Sequence, residues 1–318
     1  MDKPILVNNK NIRRDYPIIS KYFNLSRSEN QSIPKKNNII ISSNFVDVII
    51  CPICNKSPYK EMFIVDGFRH VQCQSCSHVY IKNPLKEKIL IEKYKSSEAD
   101  KAYIQRMETP FIQKYNKLLY SKYLNIFKKN GIQSGKILEI GCGTGEFLKF
   151  MKNQKKYDLY ATEFIKSSKQ LITKIINKEN FYYQIEIDDL KFDHYFNLIA
   201  LWGVIEHVRN PVKFLKTCNK FLRKKGKIFF LIPNLFSRAY ELLGVNTPTI
   251  NPRAHLNFFT HKSFELMCKN AGFSVIGKYQ ELPIIDLMYP FIGDEKKEIN
   301  QILKRDVSYY RAYLIQKK

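Results

Sequence analysis

From Lys136 onward, short apolar runs alternate with segments whose apolar residues recur at helical spacing. The runs "KILEI", "YDLYATE", "FYYQIEI", "FNLIALW" and "KIFFLIP" read as strands. The stretches after Gly145, over "SSKQLITKIIN" and over "PVKFLKTCNKFLRKKG" read as helices. That alternation predicts an α/β arrangement, a parallel sheet with crossover helices. The last crossover helix carries Asn210 as its cap, Pro211 at the first helical position and Gly226 just past its end. Beyond it, "THKSFELMCKNAGFSVIGKYQ" reads as helix, glycine turn and strand, and "SYYRAYLIQKK" as a closing strand.

Upstream of Lys136 the pattern differs. Residues 1–45 are polar, rich in Asn, Ser and Lys, and predict a partly irregular leader. Residues 46–84 form a compact cysteine-containing unit. Residues 85–131 read as two or three connecting helices that roof the α/β part: Leu118, Leu119, Tyr123 and Phe127 recur at helical intervals, and Gly131 stops the last helix. Tyr94 and Tyr103 fall on these helices and read as packing residues. The α/β part runs over residues 132–318.

Composition changes this picture little. Hydrophobic residues make up 44% of the chain and aromatic ones 14%, as in a globular protein, and no apolar run reaches the roughly 18 residues a bilayer span needs. The first residues lack an apolar core segment and a small-residue cleavage site, so a cytoplasmic address is expected. The net charge of +24 suits a phosphate backbone. Yet 42 of the 53 basic residues are Lys and only 11 are Arg, the residue that forks onto phosphates and guanines. Lys, Asn and Ile are also what AT-rich coding produces. An anionic small molecule or phosphorylated sugar is compatible with the charge as well.

Cysteine spacing says more than cysteine number. Cys51 and Cys54 form one C-x2-C pair, and Cys73 and Cys76 another after an 18-residue gap. Two such turns present four thiolates to one ion, and zinc is expected. Four thiolates close the coordination sphere and leave no place for a catalytic water, so the metal reads as structural. Cys142, Cys218 and Cys268 read as buried apolar residues.

The stretch "KILEIGCGTGEFLKF" is a strand, a loop with Gly141, Gly143 and Gly145, and a helix start. The dinucleotide fingerprint G-x-G-x-x-G would need a glycine where Glu146 stands. Glu139 precedes the loop, badly placed for a pyrophosphate but able to orient an ammonium group. Glu163 ends the next strand, 20 residues after Gly143, where a carboxylate can accept both hydroxyls of a ribose.

With "LEIGCGTGEFL", "ATEF", "FNLIALWGVIEHVRNPVKFLKTCNKFLRKKGKIFFLIPN" and "HLNFFTHKSFELMCKNAGFSV" in view, the chain from about residue 136 resembles class I S-adenosylmethionine-dependent methyltransferases. The resemblance implies a seven-stranded Rossmann-like sheet whose last strand is antiparallel. It implies that Glu139, Gly141, Cys142, Gly143, Thr144 and Gly145 line the methionine end of the cofactor. Glu163 would hold the ribose, Phe164 would pack on the adenine, Asp188 or Asp189 would meet the adenine amino group, and Trp202 would belong to the same surroundings. Upstream, "CPIC…CQSCSHVYIKNPLKEKILIEKY" resembles the zinc-ribbon module of bacterial sugar- and polysaccharide-pathway methyltransferases, including deoxysugar C-methyltransferases.

At the end of "LWGVIEHVRNP" the chain sets Glu206 beside His207. In a parallel sheet ligands gather at the carboxyl ends of the strands, and an imidazole of near-neutral pKa suits proton removal from an acceptor. His207 is therefore the first candidate for a catalytic base, with Glu206 orienting the acceptor. His255, in "NPRAHLNFFT", is the second candidate. Two acceptor classes are compatible with this. One is a small molecule, a nucleotide- or lipid-linked sugar or related metabolite. The other is rRNA or tRNA gripped by the ribbon and the basic surface. The (D/N/S)-P-P-(aromatic) motif of many amino-methylating nucleic-acid enzymes is absent, and "GVIEHV" stands in its place. The number of subunits is not legible.

Overall fold

A computed structural model describes residues 28–90, 98–283 and 293–318, with a few single positions outside these stretches. Tyr94 and most of the leader lie outside the described residues, as does the side chain of Tyr103.

The alternating runs build one seven-stranded sheet. Its strands are β4 (Gly135–Ile140), β5 (Tyr157–Glu163), β6 (Phe181–Tyr183), β7 (Phe196–Trp202), β8 (Leu222–Pro233), β10 (Phe273–Glu281) and β11 (Tyr310–Lys317), in the order β10-β11-β8-β7-β4-β5-β6. β4 to β8 pair in parallel, while β11 runs antiparallel to both β8 and β10. The expected seven-stranded sheet with an antiparallel last strand is therefore present.

Each strand sends alternate side chains to opposite faces. Ile137, Leu198, Ala200, Phe229 and Leu314 pack on one side against α2 (Pro110–Lys129) and α3 (Glu146–Lys152). Leu138, Ile199, Leu201, Phe230 and Tyr313 pack on the other, where α5 (Pro211–Phe221) and α7 (His261–Asn270) lie. Among the described residues the connector supplies α1 (Glu98–Met107) and α2. Other helices are the short α4 (Ser168–Ile172) and α6 (Arg238–Leu243), and α8 (Glu295–Arg305) before β11, with helical residues also described at 28–31 and 87–90.

Helix ends follow the local chemistry. Gly131, at φ +83°, closes α2 as expected. Asn210 caps α5 by accepting from the Lys213 N–H at 3.0 Å, with Pro211 at the first position. Gly226 does not end that helix: α5 passes directly into β8, and Gly226 lies inside the strand, next to Lys225 at φ +60°. Leu118 is 43% exposed whereas Leu119, Tyr123 and Phe127 are buried, because the inward face of α2 continues through residues four apart and Leu118 falls off it. The segments over 167–177 and 181–187 form shorter elements than their apolar runs predict.

The cysteine unit is a small antiparallel sheet of β1 (Tyr59–Val65), β2 (Phe68–Cys73) and β3 (Val79–Ile81). Its fourth strand is β9 (Asn257–Phe258), from the far end of the chain, in the order β1-β2-β3-β9. Cys51, Cys73, Cys76 and Tyr80 share a continuous core with Leu201, Phe230 and Tyr313 of the large sheet. No described helix is long and apolar enough to cross a membrane.

Candidate active site

β4 delivers Glu139 and then the glycine loop. The Gly141 and Cys142 N–H groups donate to the Thr162 carbonyl at 3.0 and 3.1 Å, which tethers the loop to β5. Gly145, at φ +76°, enters α3 in the left-handed region, and a Cβ there would fall 2.5 Å from Ile172 and 2.8 Å from Ile175. Only glycine fits both the backbone and the packing.

The last residue of β5, Glu163, turns its carboxylate back under this loop. Its oxygens accept from the N–H groups of Gly143 (2.5 Å), Phe164 (2.6 Å) and Ile165 (3.0 Å). Burial raises its pKa above the usual carboxylate range even against those three donors. Glu139 is also buried, and burial, with the Glu163 charge next in weight, pushes its carboxyl well above that range. Glu139 Oε2, Thr144 Oγ1 and Trp202 Nε1 are buried with no hydrogen-bond partner among the described residues. Such atoms are costly unless a ligand meets them. A cofactor offering an ammonium group and sugar hydroxyls fits this donor and acceptor set.

Phe164 and Asp188 also line the space. Asp188, however, holds Lys213 at 2.5 Å and accepts from the Thr217 hydroxyl at 2.7 Å, on an exposed surface. Trp202 sits in an aromatic nest, 5.0 Å from Tyr120, 5.2 Å from Phe147 and 4.4 Å from Phe229 between ring centroids.

On the other side of β4, β7 ends at Trp202, and residues 205–207 form a single helical turn carrying Glu206 and His207. Glu206 is 2% exposed, its Oε2 unpartnered among the described residues, and burial pushes its pKa up to about 8. The His207 ring lies 4.9 Å from the ring of His255, crossing it at 74°. Burial lowers the pKa values of both imidazoles, to about 3 for His207 and about 4 for His255, so both are neutral at pH 7. His255 Nδ1 donates to the Thr249 carbonyl at 2.7 Å, which leaves Nε2 as the ring's lone-pair nitrogen. Ligand atoms of Glu206, His207 and His255 lie within 4.8 Å of one another. The three candidate residues of the acceptor side, drawn from two separate stretches of the chain, hence converge.

A single cavity of about 1020 Å³ reaches both groups: Glu139, the glycine loop and Glu163 on one side, Glu206, His207 and His255 on the other. One face of α2 forms its roof, with Phe111, Tyr115, Asn116 and Tyr120 on the lining. Sequence reading misses Tyr115 and Asn116, although Tyr115 belongs to the same helical face as Leu119 and Tyr123. The Tyr115 hydroxyl and the Asn116 Nδ2 are buried without a partner among the described residues.

The four ribbon cysteines converge elsewhere in the fold. Cys51 and Cys76 have sulfurs 3.5 Å apart, as do Cys54 and Cys73, and all four lie within 4.8 Å of one another. Four thiolates at about 2.3 Å from one zinc ion would be spaced about 3.8 Å apart, so the cluster fits zinc.

A family profile described as a methyltransferase domain matches residues 111–278, more than half of the chain. The chain belongs to this methyltransferase family. Its seven-stranded sheet order is that of the class I S-adenosylmethionine-dependent methyltransferase fold. The ubiquinone biosynthesis O-methyltransferase of Glaesserella parasuis serovar 5 is 28% identical over 126 residues, covering 36% of this chain and 52% of that protein. The uncharacterized protein MJ1252 of Methanocaldococcus jannaschii is 27% identical over 148 residues, covering 45% of this chain and 57% of its own. The methyltransferase thus spans little more than half the length of these curated relatives. Among solved structures, the complex of the Haloferax volcanii Trm112 methyltransferase activator with its methyltransferase aligns at 12% identity and a TM-score of 0.49, covering 71% of this chain and 96% of that one. The plantazolicin methyltransferase BpumL in complex with SAH aligns at 17% and 0.47, covering 72% and 94%.

Proposed function

We propose that this methyltransferase transfers the methyl group of S-adenosylmethionine to a small molecule, a nucleotide- or lipid-linked sugar or a related metabolite. The observation that carries this reading is the single cavity, roofed by α2, that joins the Glu139–Glu163 side to the Glu206–His207–His255 side. Its volume suits a cofactor together with a compact acceptor. The ubiquinone biosynthesis O-methyltransferase relative, by its name, also points toward a small acceptor. A Lys-rich rather than Arg-rich composition supports the same side.

In this reading Glu139 faces the amino group of the cofactor, Gly141, Cys142, Gly143, Thr144 and Gly145 line its methionine end, Glu163 holds the ribose, and Phe164 packs on the adenine. Trp202 and the α2 aromatics exclude water beside it. Bound there, the cofactor supplies an electrophilic methyl group on sulfonium. The chain's own work is to orient the acceptor against that methyl. His207 is the proton acceptor in this reading, although burial makes its imidazole a weaker base than the near-neutral one expected from the sequence, and His255 and Glu206 fix the acceptor's position. The four cysteines hold a structural zinc, and residues 46–84 act as a ribbon attached to the methyltransferase sheet.

The deciding experiment offers labelled S-adenosylmethionine to nucleotide-sugar pools and, separately, to unmodified RNA. Label in the sugar pool is expected. Label in RNA alone would overturn the small-molecule reading. Metal analysis should return one zinc per chain, lost in Cys73→Ser, and a folded zinc-free wild type would contradict the ribbon.

A further inference from the structure

The loop that carries Glu206 and His207 is tethered to β8 through the Gly203 N–H, which donates to the Leu231 carbonyl at 2.9 Å, and to the cysteine ribbon through β9. Leu256 donates its N–H to the Glu206 carbonyl at 2.8 Å, and the Leu256 carbonyl in turn accepts from the Ile81 N–H of β3 at 3.0 Å. One residue on, Asn257 is paired with Tyr80 across the β3–β9 ladder. Its Nδ2 donates to the Val208 carbonyl at 2.7 Å and to the Glu206 carbonyl at 3.4 Å. With Nδ2 so used, Oδ1 is left to accept, and it takes the Nε2–H of His78 at 3.0 Å.

His78 is fully buried and stands two residues after Cys76. Its carbonyl accepts from the Cys73 N–H at 2.8 Å, inside the second cysteine turn. From the other side of the loop, Arg209 pairs with Asp47 at 2.8 Å and also binds the Leu85 carbonyl, at the two edges of the ribbon. His255 immediately precedes Leu256. The backbone carbonyls at 206 and 208, the backbone next to His255 and the second cysteine turn thus belong to one buried hydrogen-bonded unit.

We propose that the ribbon is the clamp of the acceptor side of the cavity, and that His78 and Asn257 are the positioning residues through which the four-cysteine site sets Glu206, His207 and His255. The inference rests on the methyltransferase reading of the cavity and adds a task for the ribbon beyond stability. A ribbon that merely adds stability needs no bond toward the loop after β7; this one sets His78 against the Asn257 carboxamide that bridges two of that loop's carbonyls, and pairs its own Asp47 with Arg209. Neither His78 nor Asn257 lines the cavity, so they act through the residues that do.

The test is imidazole NMR on the full chain with S-adenosylhomocysteine, the rings of His207 and His255 assigned through His207→Asn and His255→Asn. Asn257→Ala is expected to move both sets of ring signals. His78→Ala should move them the same way, and the double variant no further than the larger single change. His78→Gln, which keeps a donor toward Asn257 Oδ1, should return them toward wild type. The ring of His194, bonded elsewhere, should stay in place, and the dissociation constant for S-adenosylhomocysteine should stay within about threefold.

Removing the ribbon metal from the unaltered chain should move the same two rings, a measurement independent of any variant's folding. Unmoved His207 and His255 signals in Asn257→Ala or after metal removal, additive effects of the two substitutions, or equal movement of all the rings would each overturn the clamp. Failure of the wild-type chain to bind the cofactor would count instead against the methyltransferase reading.

Discussion

Glu163 and Glu206 stand on either side of β4 in the same cavity, both buried, both at the exit of a central strand, and the chain treats them in opposite ways. Glu163 accepts three backbone N–H groups from its own and the neighbouring loop. Glu206 has an oxygen with no partner among the described residues, and burial alone carries its pKa up to about 8. A side chain satisfied by backbone is fixed before any ligand arrives, as suits a cofactor used in every turnover. A buried polar atom left unpaired costs roughly 1–3 kcal/mol, a cost that marks the place where the ligand must bring the missing bond. Glu163 is thus held by the chain itself, whereas Glu206, like Glu139 Oε2, Thr144 Oγ1 and Trp202 Nε1 around the glycine loop, keeps an atom for a ligand to meet.

The comparison breaks most visibly at His207. With an acceptor in hand from the labelled-methyl assay, His207→Ala should lower turnover by on the order of a thousandfold, while calorimetry shows S-adenosylmethionine affinity within a few fold of wild type. Unchanged turnover removes His207 as the proton acceptor. The mirror experiment is Glu163→Ala. It orphans three backbone donors and removes the ribose partner, so cofactor affinity should fall by about a hundredfold or more. Normal binding in that variant would undo the whole assignment of the cofactor side.

Burial raises both carboxylates, and on the acceptor side Glu206 opposes its two neighbouring imidazoles in what titrates with stability. Glu206 is raised from 4.5 to about 8 in the folded chain, so folding holds a proton that the unfolded chain releases between those values. Stability from this group is full below about pH 4.5 and is lost as pH rises toward 8. His207 and His255 act in the opposite direction. Lowered from 6.5 to about 3 and about 4, they cost stability as pH falls below 6.5, where the unfolded chain takes up their protons. Glu206→Gln removes only the first effect. Relative to wild type it should gain about 2 kcal/mol between pH 5.5 and 7.5 in denaturant unfolding. A stability difference independent of pH would show that Glu206 is ionised in the folded chain.

Much of this is legible in the sequence, for physical reasons that also mark where legibility ends. The sheet is readable because buried parallel strands are short apolar runs, and "FNLIALW" or "KIFFLIP" have few other uses. Glu163 and the glycine loop are readable because they are local: a strand end and a turn lie within a few residues of each other. Gly226 misleads because a glycine after a helix and a glycine inside the following strand look alike when no loop separates them. The pairing of β3 with β9 is not readable, because two residues, Asn257 and Phe258, have no periodicity, and their partners lie about 180 positions away. The convergence of His255 on His207 depends on that pairing and is hidden with it.

The smallest expected effect sharpens the boundary of the cofactor side. Family resemblance assigns Asp188 or Asp189 to the adenine amino group, yet the Asp188 carboxylate is held by Lys213 and Thr217, an arrangement that lowers its pKa through the Lys213 contact first. Glu163 has no such competing cation at hydrogen-bond distance among the described residues, only backbone donors that hold it toward the loop. Exposed ion pairs of the Asp188 kind contribute only about 0–1 kcal/mol, and a carboxylate neutralised by its own cation attracts an exocyclic amine less than a cation-free one does. Asp188→Asn should therefore change cofactor affinity by less than about threefold and leave thermal stability within about 0.5 kcal/mol. A tenfold loss of affinity by calorimetry would mean that Asp188 leaves Lys213 when the cofactor binds, and that the adenine side, like the acceptor side, is finished only by its ligand.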